Sequence, residues 1–206
     1  MGLEPELHPT DRRAIIRHFN PAGRIWLRLV ARLHEYASDL VPTTLNLSWI
    51  TDTLAVGGSF RRRDIRRLAA LGITAVIDAR AEAADDEVAL AQHGIELLRL
   101  PAPDRYALSP EQLELGARWA LERIAAGGKV LVHCEHGVGR GPLLGAAVLV
   151  AGGQSAPEAL RLLRRKRWQA APNDRQLEAL LRFEERQRAR RAAPESPGPD
   201  QSLAAS

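Results

Sequence analysis

Val130-Leu131-Val132-His133-Cys134-Glu135-His136-Gly137-Val138-Gly139-Arg140 runs from an apolar strand into a glycine-rich turn and carries the only cysteine of the 206-residue chain. A strand of this kind delivers Cys134 to the rim of a sheet. The turn after it holds Gly137, Gly139 and Gly141, so the backbone can curl with successive N–H groups pointing inward. Those groups and the positive end of the following helix make an anion cradle. The same field favours a thiolate at Cys134, because helix N-termini and cationic neighbours stabilise ionised sulfur. Arg140, six positions on, offers a planar fork matched to two oxygens of a phosphate. Lone cysteines usually sit in cores. His, Cys, Gly and Arg in this frame after a Val/Leu strand point instead to chemistry.

His133-Cys134, five residues, then Arg140, with glycine third after the cysteine, resembles the signature of the cysteine-dependent protein tyrosine phosphatases, in their dual-specificity branch. The resemblance implies that Cys134 attacks phosphorus and becomes a phosphocysteine. It implies that Arg140 and the backbone of Glu135, His136, Gly137, Val138 and Gly139 bind the phosphate. His133 would orient the loop and help tune the thiolate. No metal-ligand spacing occurs, and the implied chemistry needs neither metal nor cofactor. One position departs from the pattern: Gly141 stands where the family usually has Ser or Thr, whose hydroxyl stabilises the sulfur as leaving group. A hydrogen bond to such a charged acceptor is worth about 1.5–3 kcal/mol. The expectation is slowed hydrolysis of the intermediate, and the alternative is a slow or inactive phosphate-binding module.

A thiolate nucleophile needs an acid to protonate the departing oxygen. Asp104, in Leu100-Pro101-Ala102-Pro103-Asp104-Arg105-Tyr106, lies thirty residues before Cys134 on a proline-stiffened loop. Adjacent parallel strands would place both loops on one edge of the sheet. Aspartate in such a loop can simply cap a turn, but the dual-specificity branch places its general acid at a comparable separation. Asp104 is therefore the candidate acid and then base. Asp78 and the Asp85-Asp86 pair are weaker rivals, with Asp78-Ala79-Arg80 reading as an ion-paired brace. His136 reads as a solvent-exposed ring, with a second cation facing the pocket as the lesser alternative. Glu135 argues against a highly charged inositol phosphate as substrate. Pro172-Asn173-Asp174-Arg175-Gln176 is similar to a turn in dual-specificity members, which makes Asn173 and Gln176 supporting residues; as a helix cap, the pair also needs no catalysis to explain it.

The rest of the chain frames this loop. It is 45% hydrophobic and 26% charged, enough for a sizeable core and against global disorder. One cysteine excludes an internal disulfide and suits a reducing compartment. No uninterrupted apolar run follows the first residues, and 25–30 is broken by Arg28, so the reading is a cytoplasmic chain without a transmembrane helix. A net charge of +4 fits an anionic substrate without calling for nucleic acid. The Ala/Arg/Leu-rich composition resembles that of GC-rich bacterial coding sequences.

Residues 1–40 read as an N-terminal helical extension, with a short segment at 11–19 and a helix over 22–38. That helix is expected to pack on the catalytic domain; contact with a membrane surface or a partner is the lesser alternative. Residues 41–190 read as the catalytic domain and 191–206 as a disordered tail. Short strands at 49–51 and 53–56 open the core, and strands at 73–78, 95–100 and 129–133 then alternate with helices at 59–71, 84–92, 110–126, 142–151, 156–166 and 174–190. This predicts an α/β fold with a mostly parallel central sheet and helices on both faces. The basic runs at 61–63, 66–67 and 164–167 read as solvated helix faces, with docking of an acidic partner as the lesser alternative. Sulfur-transferring rhodaneses also close a strand–Cys loop with arginine, but lack the preceding His and the upstream acid. The resemblance implies a phosphorylated protein or a small phosphate ester as substrate.

Overall fold

The computed structural model describes residues 11–19 and 45–192; the helix expected over 22–38 and the tail beyond 192 lie outside them. Five strands form one sheet, β1 (Leu47–Trp49), β2 (Leu54–Gly57), β3 (Ile73–Arg80), β4 (Glu96–Ala102) and β5 (Lys129–His133). Their order is β1-β2-β5-β3-β4, with β1 antiparallel to β2 and every other pairing parallel. The helices are α1 (Arg12–Phe19), α2 (Ile65–Ala70), α3 (Glu87–Ala91), α4 (Pro110–Ala125), α5 (Arg140–Ala151), α6 (Ala156–Lys166) and α7 (Asp174–Ala192). The α/β architecture predicted above is the one observed.

Successive strand residues point to opposite faces, and the two cores divide accordingly. Leu54, Val56, Ala75, Ile77, Val130 and Val132 belong to the larger core. Ala55, Val76 and Leu131 belong to the smaller one, with Ile65 and Leu68 of α2 and Ala89 and Leu90 of α3. Continuously apolar strands such as β5 are what a sheet covered on both sides requires. On the larger face α5 is buried from Arg140 to Val150 and packs on α4, α6, α7, β2 and β5. A helix apolar all round belongs inside. Helix α1 joins the same core through Ile15 and Phe19.

Most helix starts follow local signals. Ser109 and Gln112 cap α4 reciprocally, as Ser155 and Glu158 cap α6, and Gly72 and Gly94 end α2 and α3 at positive φ. The helix expected from Ser59 starts later. A 3₁₀ turn spans Arg62–Asp64 and α2 begins at Ile65, because Ser59 is taken by the cysteine loop: its N–H donates to the Glu135 carbonyl and its hydroxyl to the Glu135 carboxylate. Helix α3 begins at Glu87, where the Asp86 side chain accepts from the Ala89 N–H.

The connections place the site. After β3 the chain passes to α3 on the smaller core, whereas after β5 it enters α5 on the larger one. Neighbouring strands β3 and β5 thus send their loops to opposite faces. Open α/β sheets bind ligands at the carboxyl ends of strands where connections diverge in this way.

Candidate active site

Cys134 follows β5 directly and is buried. The loop after it is held from outside at four successive carbonyls. Glu135 O accepts from Ser59 N–H at 2.8 Å and Val138 O from Ala171 N–H at 2.8 Å. Between them, His136 O and Gly137 O accept from the Arg167 guanidinium at 3.3 and 2.7 Å. Across a trans peptide the next N–H points opposite to the carbonyl. The N–H groups of His136, Gly137, Val138 and Gly139 therefore face the concave side of the loop, and the N-terminus of α5 opens beside them. Gly137 sits at φ +66°, and a Cβ there would lie 2.5 Å from the Gly57 carbonyl and 2.3 Å from the Arg167 guanidinium. Only glycine fits. The arrangement is a bowl of backbone donors that begins at Cys134, a geometry able to hold an anion.

Arg140, the first residue of α5, is buried with its fork gripped by carboxylates. Glu82 accepts from both terminal nitrogens, at 2.8 and 2.5 Å, Ala102 O accepts at 2.7 Å, and Asp104 Oδ1 lies 3.3 Å away. Burial works against the guanidinium charge, but the Glu82 hydrogen bonds and the negative charges of Cys134, Glu82 and Asp104 outweigh it and raise its pKa. Glu82 escaped the sequence reading. Its signal was its place two residues beyond β3, the strand paired with the cysteine strand.

The Arg140 hydrogen bonds hold the Glu82 carboxyl at about 2, well below its ordinary 4.5. A depressed carboxyl stabilises the fold fully above its unfolded value and loses that contribution as pH falls through its folded one. The stability difference between wild type and Glu82→Gln, taken from urea curves, should thus narrow between about pH 4.5 and 2. A difference that stays constant through that window would remove the Arg140 pairing as its cause.

Asp104 sits on the exposed loop after β4. Arg105 beside it is the one non-glycine residue at positive φ among the described residues. The start of α7 holds this loop: Asn173 Nδ2 donates to Arg105 O at 2.8 Å and Gln176 Nε2 to Tyr106 O at 3.0 Å. The same two side chains cap α7 reciprocally, since Gln176 N–H donates to Asn173 Oδ1 and Asn173 N–H to Gln176 Oε1. Capping and loop support thus share one pair of residues.

Behind the bowl lies a buried ionic cluster. Arg80 binds Asp78 at 2.9 Å, Asp85 at 2.6 Å and Glu135 at 3.1 Å. Burial opposes its charge, but Asp78 and Asp85 overcome this and raise its pKa. His133 Nε2 meets Asp85 at 2.7 Å and its Nδ1 lies 3.4 Å from the Cys134 carbonyl oxygen. Asp78, Asp85 and His133 are close enough together to ligate an ion. The Arg80 fork already occupies both carboxylates, so the cluster reads as a brace.

A cavity of about 430 Å³ opens where three adjacent strands end, lined by Ala81, Glu82, Pro103, Asp104, Glu135 and His136. His136, expected in solvent, is half-buried and lines this cavity. The run 164–167 is not simply a solvated face. Arg167 is buried, and Arg164 stacks on Phe19 and donates to its carbonyl.

The model of the dual specificity phosphatase catalytic domain matches residues 58–186. The chain is similar to Tk-PTP in its active form, at 35% identity and a TM-score of 0.65, over 68% of this chain and 97% of that one. It is similar to PTPMT1, solved in complex with PI(5)P, at 27% identity and a TM-score of 0.66, over 69% of this chain and 97% of that one. Human protein tyrosine phosphatase type IVA 3 is 39% identical over 66 residues, 32% of this chain and 38% of that protein. The chain thus matches under half of that curated relative's length.

Proposed function

The chain belongs to the dual-specificity phosphatase family, and we propose that it hydrolyses phosphate monoesters through a phosphocysteine on Cys134. The Cys134 thiolate attacks phosphorus while the ester P–O bond breaks, and the departing oxygen takes the Asp104 proton. Arg140 and the inward N–H groups of the loop hold the three other oxygens as charge moves onto them. Asp104, now a carboxylate, takes a proton from the water that attacks phosphorus. The P–S bond breaks and inorganic phosphate leaves.

The observation that carries this reading is the row of four outward-anchored carbonyls, 135–138. It supports a preset bowl of donors above the one free cysteine. Glu82, Asp104 and Glu135 around the mouth oppose multiply phosphorylated substrates. A phosphorylated side chain of a protein, or a small phosphate ester, suits this rim better. The catalytic unit is proposed to span 41–190. A free catalytic thiol fits a reducing compartment such as the cytoplasm, and no described helix is long and apolar enough to cross a membrane.

Hydrolysis of para-nitrophenyl phosphate tests the reading, followed by a panel of phosphopeptides, phosphoinositides and sugar phosphates. A chain that neither turns over the nitrophenyl ester nor binds tungstate would overturn it.

Gly141 favours a second form of the same reading, in which the phosphoenzyme forms quickly and breaks down slowly. A Cβ at this position meets nothing nearer than 3.4 Å, its nearest neighbours being Cys134 N and Gly57 O, so serine is admitted against the backbone of Cys134. One hydrogen bond to a charged leaving group is worth about 1.5–3 kcal/mol, or about tenfold or more in rate. Rapid-quench kinetics should show a burst of nitrophenol in wild type, and Gly141→Ser should raise steady-state turnover by about tenfold. Unchanged turnover would mean that breakdown of the intermediate is not limiting.

A further inference from the structure

We propose that Arg167 is a positioning residue of the phosphate site: a buried cation that acts through the outer face of the Cys134 loop without touching substrate. The proposal rests on the phosphatase reading and extends it to a residue just past the end of α6.

Arg167 is 2% exposed, and its hydrogen-bond partners are neutral oxygens. Nε donates to Gly137 O at 2.7 Å, and Nη2 to Asn46 Oδ1 at 2.8 Å and to His136 O at 3.3 Å. Nη1 reaches Ser48 Oγ at 3.4 Å. The other two buried arginines of the site are bound to carboxylates, Arg80 to Asp78 and Asp85 and Arg140 to Glu82. Burial brings the Arg167 pKa down to about 10, against which only the negative charge of Cys134 pulls back.

A buried charge held by neutral groups carries a desolvation cost that an apolar side chain of similar volume would avoid. Packing therefore does not account for it. Its position does. A cation behind the carbonyls of His136 and Gly137 aligns those two peptide dipoles, with the N–H ends of Gly137 and Val138 aimed into the bowl. Its charge also acts on sulfur and bound oxyanion through a low-dielectric interior. The turn after it continues the hold, since Ala170 N–H donates to Arg167 O and Ala171 N–H to Val138 O. Asn46 anchors the other end, its own carbonyl accepting from Gly58 N–H at 2.8 Å. Arg167 thus joins the approach to β1 to the cysteine loop. The other charged or titratable groups around the loop are Arg140, Glu82, Asp104, Glu135 and His136, with Arg80, Asp78 and Asp85 clustered about His133.

The test uses the full chain and two variants, Arg167→Met and Arg167→Lys. Three quantities are read: the pH midpoint of Cys134 alkylation by iodoacetamide, tungstate affinity, and kcat/KM on para-nitrophenyl phosphate. In Arg167→Met the alkylation midpoint should move to higher pH, and affinity and kcat/KM should each fall by about ten- to a hundredfold. Lysine keeps the charge but not the fork, so Arg167→Lys should recover the midpoint while kcat/KM stays low. A folded Arg167→Met protein with the wild-type midpoint and affinity would overturn the proposal. If methionine unfolds the chain, Arg167→Lys decides alone, and wild-type kcat/KM in it would overturn the proposal. If neither variant folds, wild type decides by NMR: the Arg167 Nε–H resonance should shift on tungstate binding, and an unmoved resonance overturns the proposal. A wild type without turnover or tungstate binding sinks the phosphatase reading itself; an active wild type with indifferent variants sinks only the role of Arg167.

Discussion

Cys134→Ser is expected to leave the chain folded and binding tungstate, while its turnover of para-nitrophenyl phosphate falls by about 10,000-fold or more. The size of the loss follows from the chemistry. A serine hydroxyl at this position stays protonated, and Asp104 is assigned to the leaving oxygen, so nothing supplies a nucleophile in its place. Binding survives for a structural reason. The N–H groups proposed to hold the anion belong to 136–139, and their orientation is set from outside by Ser59, Arg167 and Ala171. None of those contacts involves the sulfur. Steady-state assays beside tungstate titration, with circular dichroism as the folding control, read both halves. Residual turnover within tenfold of wild type would place the nucleophile elsewhere. Loss of tungstate binding along with activity would show that the bowl is not preset.

Arg140→Lys carries the second large effect, a fall in kcat/KM of about 1,000-fold. The arginine presents two nitrogens to Glu82 and one to Ala102 O, so its plane is fixed before any phosphate arrives. A lysine can satisfy one Glu82 oxygen but cannot face two phosphate oxygens at once. Most of the loss should fall on kcat, because the fork matters most when charge spreads over the equatorial oxygens. Adding Glu82→Gln to Arg140→Lys should cost little more, since the two side chains act as one unit. Full additivity of the two losses would show that Glu82 and Arg140 serve separate purposes.

Much of the architecture was legible because its signals are local. Strand Lys129–His133 coincides with its predicted bounds, and the caps at Ser109, Ser155 and Asn173 each pair with a residue three positions on. The cysteine loop announced itself through residue types at fixed spacing. Glu82 and Arg167 did not, because what defines them is distant in sequence: Glu82 meets Arg140 58 positions away, and Arg167 meets Asn46 121 positions away. Arg167 also hides within a run of four basic residues. A finer signal was present, for Arg167 continues the buried stripe of Leu160 and Leu163 at helical spacing. Ser59 shows the opposite failure, a residue type suited to capping that a distant partner, Glu135, claims instead.

Asn173 and Gln176 tether the strand-to-helix segment bearing Asp104 at two backbone oxygens. Folding has therefore already met the entropy of fixing that segment, and an arriving ester needs no further ordering of it. Affinity for even the smallest phosphate esters should then owe little to the size of the group being cleaved away.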